Sequence, residues 1–247
     1  MTHDSARREP PMRVAAPAWK FFVPLMLAGL AALAAALLLS IPSLIAVFAL
    51  LAILALYVLY FFRDPGRKLP DGIADGYICP ADGKVVSVIE VPEERLPEGR
   101  ARRVAIFLNV FNVHIQRAPH AGTIREIVRK EGKFINALNE KCSEENEQVT
   151  LWLDGANGQT YGIRQIAGAI ARRIVVWFPE GEKVAQSERY GLIQFGSRVE
   201  IFLPLGAEVL VKPGQIVRGG STLLASAPKA AAGTAQGAIE TAEPSTV

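Results

Sequence analysis

Between Phe21 and Phe62 the chain runs for 42 residues without an Asp, Glu, Lys or Arg. A helix needs only ~20 predominantly apolar residues to cross a hydrocarbon core, so a single span cannot absorb the run. It is interrupted at Ser40, Ile41, Pro42 and Ser43, where the proline and its flanking serines break a helix. The run therefore predicts two helices, Phe21 to Leu39 and Leu44 to Phe62, forming a transmembrane or re-entrant hairpin. Arg7, Arg8, Arg13 and Lys20 precede it and Arg63, Arg67 and Lys68 follow it. By the positive-inside rule both outer ends lie in the cytoplasm, with Trp19, Tyr57 and Tyr60 near the interface. The expected location is the cell (inner) membrane, with the rest of the chain on the cytoplasmic side. A cleaved signal peptide fits poorly, because its apolar region spans ~7 to 15 residues and is followed by a small-residue cleavage site. A buried soluble hairpin fits poorly too, since roughly 160 folded residues would have to cover the whole run.

Composition narrows the rest. With 27 basic against 24 acidic side chains the net charge is +3, too weak a field to argue for nucleic acid binding. Cys79 and Cys142 are the only cysteines, which excludes a disulfide-stapled scaffold, and no Cys/His clustering points to a metal. The expected organisation is a basic arm over 1–20, the anchor over 21–62, a catalytic domain over 63–227 and a disordered tail over 228–247, whose residues are mostly Ala, Gly, Thr, Ser, Pro and Glu. The 63–227 segment reads as mostly β (α+β), with short alternating apolar runs and Gly/Pro punctuation. Val104 to Ile115 reads as one strand with Ile106, Leu108, Val110, Asn112 and His114 on one face. Ile170 to Phe178 and Val199 to Leu203 alternate similarly. Segments 81–91, 121–137 and 207–225 share a loose glycine and β-rich pattern, and the last two resemble half-motifs of barrel-sandwich folds.

Three short stretches carry candidate chemistry. In RYGLIQFGSRVEIFLP, residues 189–204, Gly196-Ser197 stands just ahead of an alternating strand; alone, it reads as a turn. Asp82 in CPADGKV, residues 79–85, precedes a glycine as turn aspartates do, and His114 in FNVHIQRAP, residues 111–119, alone reads as a satisfied strand histidine. Together, in this order and behind such an anchor, they resemble the short bacterial form of the phosphatidylserine decarboxylase proenzymes. Phe195, Gly196, Ser197, Arg198, Val199 and Glu200 match that family's self-cleavage signature, Pro-Ala-Asp-Gly its acid motif and Val113-His114 its base motif. The resemblance runs over about residues 60–225. The longer form carries a histidine three residues before the triad histidine, where this chain has Phe111, so any role of that residue does not carry over. His120 is a substitute only by proximity and a candidate for substrate binding, with a loop histidine as its plainer reading.

A serine attacks a carbonyl when a base takes its proton, and a histidine oriented by a carboxylate is the usual device; Ser197, His114 and Asp82 supply those roles. The resemblance implies that Ser197 attacks the carbonyl of Gly196 through a five-membered ring, and that elimination then leaves a pyruvoyl group on 197–247. That fragment would remain with 1–196 as a heterodimer. The pyruvoyl ketone would form a Schiff base with the amine of phosphatidylserine and accept the electron pair left by departing carbon dioxide, giving phosphatidylethanolamine without a metal or an external cofactor. Arg117 is a candidate for the headgroup phosphate, with a salt bridge as its plainer role. The implied partners are the bilayer and its phosphatidylserine, with homo-oligomerisation left open. Archaetidylserine decarboxylase would use the same reacting centre. A membrane-anchored serine hydrolase would need Ser197 to persist, and no Gly-x-Ser-x-Gly elbow is present. An adaptor built on a barrel sandwich would need a heptad hairpin, which is not visible.

Overall fold

The structure, a computed structural model, describes residues 13–70, 73, 76–170, 173–194 and 196–227. The expected tail, Phe195 and the first twelve residues of the expected basic arm lie outside the described residues. A short strand, β1 (Arg13–Val14), leads into α1 (Trp19–Leu38) and α2 (Ser43–Phe61), and β2 (Arg63–Asp64) then pairs back onto β1. The break falls where proline and serine place it. Ser40 takes φ +55° and the Ile41 amide reaches back to the Ala36 carbonyl at 3.1 Å, the 6→1 bond of a Schellman cap. Gly29 sits at the contact between the two helices, where a Cβ would lie in ordinary van der Waals contact, 3.4 Å from Phe48 and 3.5 Å from Leu51. Both helices are long and apolar enough to cross a membrane by length and composition. Leu27, Leu37, Leu50, Ile53 and Leu56 project outward from them, exposed.

The remainder is mostly strand: β3 (Tyr77–Ile78), β4 (Gly83–Pro92), β5 (Arg100–Leu108), β6 (Ile115–Arg117), β7 (Gly122–Lys130), a one-turn α3 (Cys142–Glu145), β8 (Gln148–Gly155) and β9 (Thr160–Ala167). They are followed by β10 (Arg173–Val176), β11 (Lys183–Val184), β12 (Arg189–Gln194), β13 (Ser197–Leu203), β14 (Ile216–Val217) and β15 (Leu223–Ala225). Eight strands form one antiparallel sheet in the order β11-β7-β8-β9-β13-β5-β4-β14, curled into a half-barrel. A second sheet runs β10-β12-β6, and β15 pairs with β3. Of the three glycine-rich segments, the first two supply β4 and β7 and the third supplies β14 and β15. The helical hairpin joins this body through a buried cluster of Ala18, Val58, Phe61 and Phe62 with Leu192 of β12.

One strand expectation is corrected. Val104 to Ile115 is not continuous: β5 ends at Leu108 and β6 begins at Ile115, in a different sheet. Two asparagines break it. Asn109 Oδ1 accepts the Phe111 amide at 2.9 Å and Asn112 Oδ1 accepts the Asn109 amide at 2.9 Å, so side chains satisfy backbone groups that a strand would need for its ladder. Ile106 and Leu108 stay in the core, and His114 is released from their face. Within the Ile170 to Phe178 pattern β10 is the described strand; it ends at Val176, and Ile170 is exposed.

Strand β13 lies between β5 and β9, with Ser197 opposite Leu108 on one side and Ala167 on the other. Val199, Ile201 and Leu203 enter the main core beside Val104, Ile106, Leu151 and Ile163. On its other face Glu200 is fully buried. It accepts Ser143 Oγ–H of α3 at 2.7 Å and faces Arg198 at 3.0 Å, with Arg103 and Arg164 each at 3.6 Å.

Candidate active site

The Gly196–Ser197 bond sits at the mouth of β13. Gly196 takes φ +69° with nothing within 4 Å of where a Cβ would stand, so its backbone conformation, not crowding, calls for glycine. Its carbonyl accepts the Gly168 amide at 3.1 Å, and its own amide donates to His114 Nε2 at 3.3 Å. Ser197 is buried and its Oγ has no hydrogen-bond partner. An unpaired buried hydroxyl is costly to keep; it is also free to be a nucleophile.

His114 is positioned by the asparagine turn and by α2. Its ring stacks on Phe61, the last residue of α2, at 4.3 Å and 29°. Tyr57 and Tyr60 of the same helix donate their hydroxyls to the Val110 and Phe111 carbonyls at 3.1 and 3.2 Å, and Arg63 reaches the Phe111 carbonyl at 2.7 Å. Below the ring, Gln116 holds the His114 carbonyl at 2.7 Å and is itself held by Gln165 at 2.9 Å. With Gly196 N–H donating to Nε2, the ring proton lies on Nδ1, which donates to the Asn112 carbonyl at 3.0 Å. Burial pushes the imidazole pKa down from 6.5 to about 4, with the Asn112 bond opposing the shift and the Arg63 charge reinforcing it. His114 is thus a neutral imidazole whose Nε2 lone pair accepts the amide of the residue before Ser197.

The other expected residues are brought together differently. Asp82 does not hydrogen-bond to His114. Its carboxylate accepts Arg67 at 2.7 Å and the Gly219 amide at 2.8 Å, so Asn112, not Asp82, fixes the histidine tautomer. Arg67 is in turn spent on this pair, with only 10% of its side chain exposed. Arg117 is buried and donates to Asp64 at 2.8 Å and to the carbonyls of Pro65 and Ser187 at 3.1 Å each. Arg189 also pairs with Asp64. The salt-bridge role of Arg117 is therefore the one its contacts support. His120 is buried against Tyr77, its Nδ1 2.8 Å from the Ala121 carbonyl. Phe61, Asn112 and Gly168 were not singled out from the sequence. Asn112 alone carried a local signal, standing two residues before the candidate base in a stretch rich in turn formers. Among the described residues no three His, Cys, Asp or Glu side chains cluster closely enough to hold a metal ion.

Comparison with known proteins bears on the same segment. The family model for phosphatidylserine decarboxylase matches residues 54–225. A phosphatidylserine decarboxylase proenzyme of Magnetococcus marinus is 46% identical over 163 residues, covering 66% of this chain and 74% of that protein. One from Azorhizobium caulinodans is 48% identical over 169 residues, covering 67% and 71%, and one from Solibacter usitatus 48% identical over 166 residues, covering 67% and 76%.

Proposed function

This chain belongs to the phosphatidylserine decarboxylase family and is a decarboxylase of phosphatidylserine, and we propose that it makes its own electrophile, a pyruvoyl group, by breaking the Gly196–Ser197 bond. What carries the reading is the arrangement around that bond: a buried, unpartnered Ser197 Oγ, a glycine at φ +69° before it, and a neutral histidine nitrogen on the Gly196 amide. Those residues fit the group, which would form in place at position 197, held between β5 and β9. The relatives' name, proenzyme, supports a cleaved chain.

The chain's own residues perform the making of it. Ser197 Oγ attacks the Gly196 carbonyl carbon while His114 Nε2, exchanging the Gly196 amide for the hydroxyl, takes the proton. As the C–N bond breaks the proton passes to the Ser197 nitrogen, leaving an ester. Loss of the Ser197 Cα proton and scission of Cβ–Oγ release the Gly196 carboxylate, and tautomerisation and hydrolysis release ammonia. The pyruvoyl carbonyl supplies the electron sink that decarboxylation at an amine-bearing carbon needs. Asp82 contributes by tying Arg67 to the Gly219 turn, not by charging His114. Among the described residues every strand after the cleavage point pairs with one before it, β13 with β5 and β9, β14 with β4 and β15 with β3. The described residues on the two sides of the cleavage point therefore remain one folded body.

In the same reading α1 and α2 span the bilayer with the β domain on the cytoplasmic side, as the flanking Arg13, Lys20, Arg63 and Lys68 favour. A diacyl substrate then meets the enzyme at high effective concentration. Intact-mass analysis under denaturing conditions tests the proposal. The wild-type protein should give two fragments, the smaller beginning with a pyruvoyl mass in place of serine, and Ser197→Ala a single chain. A wild-type chain that stays whole in membranes would overturn it.

A further inference from the structure

The Gly196 carbonyl is the group that must carry negative charge when Ser197 attacks, and among the described residues one donor faces it, the Gly168 amide at 3.1 Å. We infer that this amide is the oxyanion donor of the self-cleavage step and that the buried side chain of Asn146 sets it in place. The inference rests on the self-cleavage reading above.

A simpler account would make the bond one more rung of the β9–β13 ladder, because Ala167 pairs with Ser197 next door. Two observations go beyond that. Gly196 has left strand geometry, at φ +69°, yet the bond is kept. Position 168 is also restricted in what it can hold: a Cβ on Gly168 would stand 2.6 Å from the Gly196 oxygen and 3.3 Å from the Ala137 Cβ, so it is closed to every residue but glycine. The peptide that carries this amide is fixed from behind. Its carbonyl, that of Ala167, accepts Asn146 Nδ2 at 2.6 Å. Asn146 is fully buried, and it is held by the Ile135 amide on its Oδ1 at 3.0 Å and by the Ile135 carbonyl on its Nδ2 at 2.9 Å. A donor on the carbonyl polarises the same peptide's N–H towards its acceptor. Nothing has to reorganise as charge develops, which is what gives a preorganised donor its leverage in a dry site.

The step balances within the chain. The Ser197 Oγ–carbon bond forms as its proton moves to His114, and the carbonyl π pair shifts to the Gly196 oxygen beneath the Gly168 N–H. On collapse that pair returns, the C–N bond breaks, and the His114 proton goes to the Ser197 nitrogen.

The full-length chain, made by cell-free synthesis into lipid nanodiscs, allows a direct test. Glycolic acid at position 168 replaces the amide by an ester, removing the N–H while keeping the shape. Gly168→Ala displaces the carbonyl sterically, and Asn146→Ala removes the polarising contact. Each is followed by fragment appearance with and without hydroxylamine, which cleaves the ester intermediate once it has formed. The expected result is cleavage slowed about 10²- to 10³-fold by the glycolate, with melting like that of Ser197→Ala, and no rescue by hydroxylamine because ester formation itself is impaired. Asn146→Ala should show the same pattern with a smaller loss. Cleavage at the wild-type rate in the glycolate variant, or full rescue by hydroxylamine, overturns the inference, and so does loss of folding in all three variants, which would make the contact structural. Failure of the wild-type chain to cleave would instead remove the self-cleavage reading itself.

Discussion

Truncating Phe61 to alanine should move the pH dependence of maturation. The ring is fully buried, it stacks on His114 at 4.3 Å, and burial is the main reason the imidazole pKa falls to about 4. Removing it admits water to one face of the imidazole, so the pKa climbs back towards 6.5. Taking about 6 for the variant, the neutral, base-competent fraction at pH 5.5 drops to about 24%, against about 97% for a histidine of pKa about 4. Maturation of Phe61→Ala at pH 5.5 should therefore run about 4-fold below its own plateau at pH 8, while the wild-type rate is the same at both. The assay is precursor synthesis without pH control of folding, followed by a pH jump and densitometry of fragment 1–196. The loss of stability from emptying a packed aromatic site, about 3 to 5 kcal/mol, cancels in the ratio as long as the variant is folded, which melting checks. An acid limb coincident with wild type would refute the claim that α2 sets the state of the base.

Further outcomes follow from the same contacts. Asp82→Asn should leave the acid limb where it is, because the Nδ1 partner is Asn112, and should lower the melting temperature through the lost Arg67 pair; an unmoved melting point with maturation abolished would restore Asp82 as the group that orients His114. Glu200→Gln strips the counter-charge from Arg103, Arg164 and Arg198 and should cost about 3 to 5 kcal/mol, read as denaturant unfolding of the uncleaved Ser197→Ala protein. In that background stability should also fall with acid. The folded pKa of His114 lies below the unfolded value of 6.5, so the unfolded chain binds the extra proton first. Stability present above pH 6.5 is then lost as the pH drops towards 4, by about 3 kcal/mol in all, and His114→Phe should flatten that part of the profile. Removing residues 13–62 should abolish maturation even of soluble protein, because with Phe61 it also removes Tyr57 and Tyr60, whose hydroxyls hold the Val110 and Phe111 carbonyls of the turn before His114; a truncated chain that cleaves normally would reduce the hairpin to a tether.

Much of this architecture was legible in the residue order because it depends on local rules. A charge-free run with a proline near its middle makes a helical hairpin wherever it is placed, and alternating apolar residues make strands such as β5 and β13. Gly196-Ser197, Asp82 and His114 stood out by motif. The strand through His114 misled because alternation continued past Leu108, while Asn109 and Asn112, turn formers by their side chains, ended it.

What the tertiary structure decided is which groups the motif residues meet. His114 meets Gly196 across 82 positions of sequence and Asp82 meets Gly219 across 137. Phe61 arrives from the anchor, and Gly168 arrives through the register of β9 on β13. Periodicity and composition act over a turn or a strand, whereas these meetings depend on sheet order and packing. The sequence alone therefore determined the apolar hairpin, the strand-rich domain and the motif at Gly196-Ser197; only the folded chain decided that a backbone carbonyl, not a carboxylate, would meet His114, and that the Gly168 amide would face the Gly196 carbonyl.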